Sequence, residues 1–377
     1  MLLTYLVQQL FTTSPTLKYT KLNHSSKSLV FMNEEKKDRK IRILSIDGGG
    51  IRGIIPAKFL AELENELANR GINKPLYQHF DLICGTSTGA LLAIGVALGV
   101  PSKELLGFYK ENAKDIFPST LFKVFPRKGK VLFSSMFSNK KLRSKLMKVY
   151  GDANGGEPPL LMDLKTNVCI PTFNGGQGEI NVLKTKHHED YIRDYKLPAH
   201  DVALSSAAAP VYFPPHTFRY DNEFGSGINV NMIDGGIFAN NPALIGLFEA
   251  SEKMGYPFED IELYSIGTGK GKHIIKKRWL PHNIWYWLIR KPRLLDIILD
   301  SQAQITEEYI NFLQRALIKC QTQTFHYHRV QHEFGTDAIE LNVSAKKDTD
   351  RLESIGGELA KKHIISIVNK LLNKKNG

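Results

Sequence analysis

Ser87 stands between two glycines in Gly85-Thr86-Ser87-Thr88-Gly89. That spacing is the G-x-S-x-G pattern of a nucleophile elbow, in which a serine on a sharp strand-to-helix turn needs small neighbours so that adjacent backbone can pass closely. The chemistry open to such a serine is acyl transfer. Its hydroxyl projects at a helix N-terminus, where backbone N–H groups and the helix dipole favour the negative charge that develops on an attacked carbonyl. The same pattern occurs in ordinary βα turns, so the flanks decide. Phe80-Asp81-Leu82-Ile83-Cys84 reads as a buried strand, and Ala90 to Leu98 as a helix apolar on every side and therefore deeply buried.

A serine nucleophile needs a base. Among the twelve histidines, His216 in Pro214-Pro215-His216 and the cluster His326, His328 and His332 are the candidates for a Ser-His-Asp triad. None has a glycine-turn setting that would present it at a sheet's C-terminal edge, and His326-Tyr327-His328 reads as one face of a strand. Asp234 differs. It follows a predicted strand, Ile228 to Ile233, and opens Asp234-Gly235-Gly236-Ile237-Phe238-Ala239-Asn240-Asn241-Pro242. A carboxylate fixed there can serve directly as base if burial raises its proton affinity; the plainer reading is an Asp-Gly turn holding its own backbone.

A second glycine run, Gly48-Gly49-Gly50-Ile51-Arg52-Gly53, matches G-x-G-x-x-G. A dinucleotide site would want an acidic residue at the end of the next strand, and that strand runs through Ile83 and Cys84 into Gly85 without one. The loop otherwise suits aiming backbone N–H groups at an oxyanion, or a tight turn with no ligand.

The elements that must hold these groups alternate. Ile41 to Ile46 is a strand leading into Asp47 and the glycine run; Pro56 sits where a first helical turn tolerates it, and Phe59, Leu60, Leu63 and Leu67 recur at helical spacing. Asn167 to Phe173, Ile180 to Leu183 and Ile261 to Ile266 are further strands, Phe117 to Tyr150 a basic helical insertion, and Leu295 to Lys319 and Leu352 to Leu372 helices. Strands separated by helices imply an α/β fold with a mainly parallel sheet covered on both faces.

Composition bounds the rest. The 377 residues carry 50 Lys+Arg against 38 Asp+Glu, a formal charge of +12, with 42% hydrophobic and 23% charged residues. That is an ordinary globular composition. Cys84, Cys169 and Cys320 are too few and too scattered for a disulfide framework or a zinc site, so a reducing compartment and no metal are expected. No apolar run reaches the roughly 20 residues of a membrane span. Residues 1–31 contain no acid and lack a secretory signal's pattern; they are read as a disordered or mis-assigned extension ahead of Met32.

Four motifs in order then carry a resemblance: Asp47 to Gly53, Gly85 to Gly89, Ser206-Ala207-Ala208-Ala209-Pro210-Val211-Tyr212-Phe213-Pro214-Pro215, and Asp234-Gly235-Gly236 with Asn240-Asn241-Pro242. Together they resemble the signature of the patatin-like phospholipases over about Ile41 to Gly269. The resemblance implies a three-layer α/β/α sandwich and a lipid acyl hydrolase with a Ser-Asp dyad, Ser87 as nucleophile and Asp234 as base. Gly48, Gly49 and Gly50 would form the oxyanion hole. Arg52, Gly53, Gly85, Thr86, Thr88, Gly89, Gly235 and Gly236 would support the loops and substrate, with Arg52 either near a phosphate, orienting the loop, or in a surface salt bridge. No cofactor is implied. A catalytic domain is expected over 32–275 and a mainly helical C-terminal extension packing on it over 276–377.

Two acid-free stretches concentrate the positive charge: Lys123 to Lys148, and Lys270 to Arg293 with Trp279, Trp285, Tyr286 and Trp287 interleaved. Basic residues beside Trp and Tyr suit an anionic lipid surface. The expected partners are a phospholipid or galactolipid substrate and a peripheral membrane surface reached from the cytoplasm. Nucleic acid is not expected, since no recognition motif accompanies the charge. Two alternatives stay open: a nucleotide-activated effector of the same family with an anionic activator, and a non-catalytic lipid-binding module.

Overall fold

The computed structural model describes residues 40–116, 139–210, 212–222, 225–273, 293–335, 339, 341 and 345–372. One eight-stranded sheet organises them: β1 (Ile41–Ile46), β2 (Leu82–Gly85), β3 (Asn167–Asn174), β4 (Glu179–Lys184), β5 (His216–Asn222), β6 (Gly225–Asp234), β7 (Ile261–Ile266) and β8 (His326–Val330). The order is β5-β6-β3-β2-β1-β7-β8, with β4 also on β3. The β3-β2-β1-β7-β8 pairings are parallel, and β4, β5 and β6 are joined by antiparallel ones. The sheet is therefore mixed, with a parallel centre.

Around it lie α1 (Ile54–Asn69), α2 (Thr88–Leu98), α3 (Ser102–Ile116), α4 (Asn139–Ala153), α5 (Ala199–Ser206), α6 (Gly236–Ala239), α7 (Ala243–Phe248), α8 (Arg293–Lys319) and α9 (Lys346–Leu372). Strand alternation splits the core in two. Leu44 and Ile46 of β1 join a cluster with α1, α2 and α9, whereas Ile41 and Ile43 join a second with α7 and the later half of α8. This is the α/β/α layering. Every residue of α2 is buried, as its all-round apolar sequence requires. The basic insertion is helical from Asn139; residues 117–138 and most of the tryptophan-bearing stretch, 274–292, lie outside the described residues. So do residues 1–39. Strand β5, beginning at His216, was not expected behind two prolines.

The described residues group as one compact unit. Strand β8 is an edge strand of the same sheet as β1, and α9 packs on α1, where Gly356 lets the helices approach at Ile55 and Lys58. The decisive link is Arg329 on β8. Its guanidinium donates from Nη1 to Asp47 Oδ1 (2.9 Å) and from Nη2 to Asp47 Oδ2 (2.6 Å), a two-pronged pair that is almost wholly buried. Asp47 immediately precedes the glycine run, so the C-terminal strand fixes the start of that loop. Arg329→Lys keeps the charge and loses the fork. The expected cost is about 2 kcal/mol, read as a lower midpoint in denaturant unfolding.

Candidate active site

The site is assembled on one edge of β3. Strand β2 pairs with Asn167–Cys169 of β3 and β6 with Thr172–Asn174, while β4 takes the opposite edge. β2 and β6 therefore run end to end along β3 and meet. β2 ends at Gly85, two residues before Ser87, and β6 ends at Asp234 opposite Thr172. The fold thus brings together two residues 147 positions apart in the chain.

Ser87 sits at φ 55°, ψ −123°, a conformation that L-residues rarely adopt, immediately before α2. Several contacts hold it there. Its backbone N–H donates to Ser206 Oγ (2.9 Å), and Ser206 Oγ–H donates to the Pro171 carbonyl of β3 (2.7 Å). Thr86 Oγ1–H donates to the Ala239 carbonyl (2.7 Å). Thr88 Oγ1–H donates to Tyr109 Oη (2.6 Å), which donates back to the Thr88 carbonyl (2.8 Å). A side chain on Gly85 would strike the Gly89 backbone, and one on Gly89 the carbonyls of Ile46 and Asp47. Glycine at both positions is what lets α2 start directly against β1.

Asp234 is 1% exposed. Its Oδ1 accepts the Gly236 N–H (2.7 Å), and its buried Oδ2 has no hydrogen-bond partner among the described residues. Burial pushes the carboxyl up to about 7, against a smaller downward pull from the Ser87 hydroxyl and the Gly236 N–H. A carboxylate with one oxygen anchored, one free and a proton affinity near neutrality is suited to general base work. Ser87 and Asp234 line one cavity, otherwise walled by Gly50, Thr88, Leu91, Tyr109, Leu142, Ala207, Ala209, Tyr212, Phe213, Leu299 and Leu341.

The glycine run needs a correction. Gly48 N–H donates to the Asn240 carbonyl (2.9 Å), so it is not available to an oxyanion. Thr268 Oγ1–H holds the Gly48 carbonyl (2.6 Å). In a trans peptide the next N–H points the opposite way, which turns Gly49 N–H away from Thr268. Likewise the Gly49 carbonyl accepts Arg52 N–H (3.0 Å), turning Gly50 N–H outward, and Gly50 lines the cavity. Among the described residues no loop or turn hydrogen bond engages the N–H groups of Gly49 and Gly50. Gly48 is instead a packing glycine, since a side chain there would collide with Asn240.

Arg52 is not in a surface salt bridge. It is 2% exposed and donates from Nε to the Ile339 carbonyl (2.6 Å), with Asp300 3.8 Å from Nη1 and the Phe334 ring beneath. Its place is to tie the loop to the C-terminal segment. Gly53 abuts Thr88, Gly235 abuts the Pro171 backbone of β3, and Gly236 caps Asp234. Sequence reading gave no role to Asp47, Ser206, Asn240 or Arg329. Ser206 and Asn240 lay inside quoted motifs, but only the fold shows which backbone groups they hold.

The patatin-like phospholipase family profile matches residues 44–247, which span both Ser87 and Asp234. The chain is also 30% identical to patatin-like protein 2 of Arabidopsis thaliana over 87% of this chain and 84% of that one. This chain belongs to the patatin-like phospholipase family. That family consists of hydrolases acting on lipid esters. A cGAMP-activated phospholipase of Vibrio cholerae is 34% identical over 62% of this chain and 66% of its own length. VipD of Legionella pneumophila aligns with 87% of this chain and 67% of its own at 13% identity and a TM-score of 0.40.

In this patatin-like chain none of the four candidate histidines lines the Ser87 cavity. His216 Nε2 lies 3.0 Å from Asp201 Oδ1 and its ring stacks on Phe218. His328 Nε2 faces His363 Nδ1 at 3.1 Å, joining β8 to α9. His326 is pushed down to about 4 by burial and by nearby Lys370, and His332 packs on Phe334. The geometry therefore gives Ser87 no imidazole partner among these four.

Ser206→Ala removes the group that holds both Ser87 N–H and the Pro171 carbonyl. Losing a buried hydrogen bond of about 1.4 kcal/mol from the elbow corresponds to about tenfold in rate. Steady-state kinetics on an ester are expected to show kcat about tenfold lower with KM little changed.

Proposed function

We propose that this patatin-like chain hydrolyses acyl esters of phospholipids through a Ser87–Asp234 dyad. Asp234 Oδ2 takes the Ser87 hydroxyl proton as Oγ attacks the ester carbonyl, and the oxyanion is held by the N–H groups of Gly49 and Gly50 at the N-terminal end of α2. Collapse releases the lysolipid, with the proton returned from Asp234 to the leaving oxygen. Water, deprotonated by Asp234, then attacks the acyl-enzyme carbonyl, and Asp234 passes that proton to Ser87 Oγ as the fatty acid leaves.

The observation that carries this reading is the meeting of a strained Ser87 with a buried carboxyl raised to about 7 in one cavity walled mainly by apolar side chains. The apolar wall suits an acyl tail, and among the described residues no polar group beyond the dyad, the loop, Thr88 and two tyrosines lines it. The test is fatty-acid release from phospholipid, galactolipid and triglyceride substrates by purified protein. Release from phospholipid is expected; liposome binding with no release from any ester would favour the non-catalytic lipid-binding reading instead.

A membrane-bound substrate requires a docking surface. No helix among the described residues is long and apolar enough to cross a membrane. However, α8 exposes Leu294, Ile305, Tyr309 and Phe312, while Leu299 on another side of the same helix lines the cavity. Their spacing puts them along one outward stripe, which supports peripheral association. Similarity to the cGAMP-activated phospholipase of Vibrio cholerae supports a second reading, a nucleotide-activated phospholipase. Full activity without added nucleotide would count against it.

A further inference from the structure

A second cluster of reactive side chains lies on the sheet face carrying α7, outside the Ser87 cavity. Cys169 of β3, His187 just after β4, and Glu249 just after α7 place a sulfur, an imidazole nitrogen and a carboxylate oxygen all within 4.8 Å of one another. Cys169 is fully buried, and the side chains of His187 and Glu249 are 3% and 6% exposed. Spacing along the chain hides this set, because the residues come from three elements that only the fold joins.

We propose that Cys169, His187 and Glu249 bind one zinc-class dication. Thiolate, imidazole and carboxylate are the donor types zinc takes, and three protein ligands leave the fourth tetrahedral position to a water. Each of the two polar ligands is already oriented from outside. Thr185 Oγ1 lies 3.0 Å from His187 Nδ1, which leaves Nε2 facing Glu249 at 2.9 Å. Lys184 Nζ holds Glu249 Oε2 at 2.6 Å, which leaves Oε1 toward the cluster. Outer hydrogen bonds of this kind fix ligand orientation in metal sites.

Lys184, Tyr191 and Glu249 would make a satisfied ion-pair network without a metal, since Tyr191 Oη donates to Glu249 Oε1 at 2.5 Å. That network accounts for the charges but gives no reason for a thiol in its wall. The exchange balances: the dication displaces the Cys169 thiol proton and the proton between His187 Nε2 and Glu249 Oε1, and both leave to solvent. Buried net charge is unchanged, so the neighbouring Lys184 ammonium meets no new excess of positive charge. The bound ion would tie β3, the segment after β4 and the end of α7, and Cys169 is the register partner of Cys84 on the strand leading to Ser87.

The experiment is cobalt titration of the chelator-treated full chain, followed by absorbance. One equivalent is expected to give the charge-transfer band of a thiolate–cobalt bond with tetrahedral d–d bands. Cys169→Ser should lose the charge-transfer band, Cys320→Ser should keep it, and His187→Gln should weaken binding at least tenfold. Zinc should raise the melting temperature of the wild type and not of His187→Gln, which remains informative if Cys169→Ser fails to fold. No thiolate band with excess cobalt, a band that survives Cys169→Ser, or equal binding by His187→Gln would each overturn the proposal.

Discussion

Ser87→Ala is expected to lower fatty-acid release by a factor on the order of 10⁴ or more, because it removes the hydroxyl proposed as nucleophile. The fold should survive. Ser87 donates and accepts its structural contacts through its backbone, whose N–H bonds Ser206 and whose carbonyl starts α2, and alanine keeps both. Ser87→Gly separates function from strain. At φ 55°, ψ −123° a side chain costs about 1–3 kcal/mol that glycine does not incur. The glycine variant should therefore be as inactive as the alanine one yet melt higher than it. Thermal scans of both variants beside the wild type, with a phospholipid assay, check this. Alanine and glycine variants of equal melting temperature would show that the elbow stores no strain, and retained release would remove Ser87 as nucleophile.

The elbow was legible in the sequence because its physics is local. A strand, a turn that excludes side chains at Gly85 and Gly89, and a helix with no polar face all follow within about twenty residues, and α2 is buried throughout as that pattern requires. Asp234 was legible only as a carboxylate at a strand end. Whether it holds its own turn or serves Ser87 depends on β6 landing on the β3 edge that β2 has just vacated, which is a long-range register. The structure shows the turn contact, Oδ1 on Gly236, and leaves Oδ2 without a hydrogen-bond partner among the described residues. That the Gly48 N–H is already taken was not legible for a similar reason. Which of three glycine N–H groups stays open is decided by Asn240 and Thr268, far away in the chain. Arg329 was not legible at all, and for Arg52 orienting the loop was one of three open readings. A charged residue in a sequence reads as surface, and only the partners that bury it, Ile339 and Asp300 for one and Asp47 for the other, reveal a cross-link.

Asp234 should give the protein opposite pH responses in activity and stability. As a base it works only when ionised, so kcat/KM is expected to rise about tenfold per pH unit below about 7 and to level off above it. Stability runs the other way. The folded-state affinity, raised by burial from the ordinary 3.8 to about 7, means that the native protein holds a proton the unfolded chain has already released. The stabilising contribution is fully present below about 3.8 and is lost as pH rises through about 7. At 1.36 kcal/mol for each unit between those values, ionising Asp234 costs the fold about 4 kcal/mol. Asp234→Asn removes that cost, because a neutral amide can still accept the Gly236 N–H at the Oδ1 position. The variant should lose about 10²–10⁴-fold in activity. Its melting temperature relative to the wild type should climb between about pH 4 and pH 7, the window in which the unfolded carboxyl has released its proton and the folded one has not, and level off above it. A difference that stays flat across that window would mean the carboxyl is already ionised at pH 5, and the base would then lack the proton affinity on which the dyad depends.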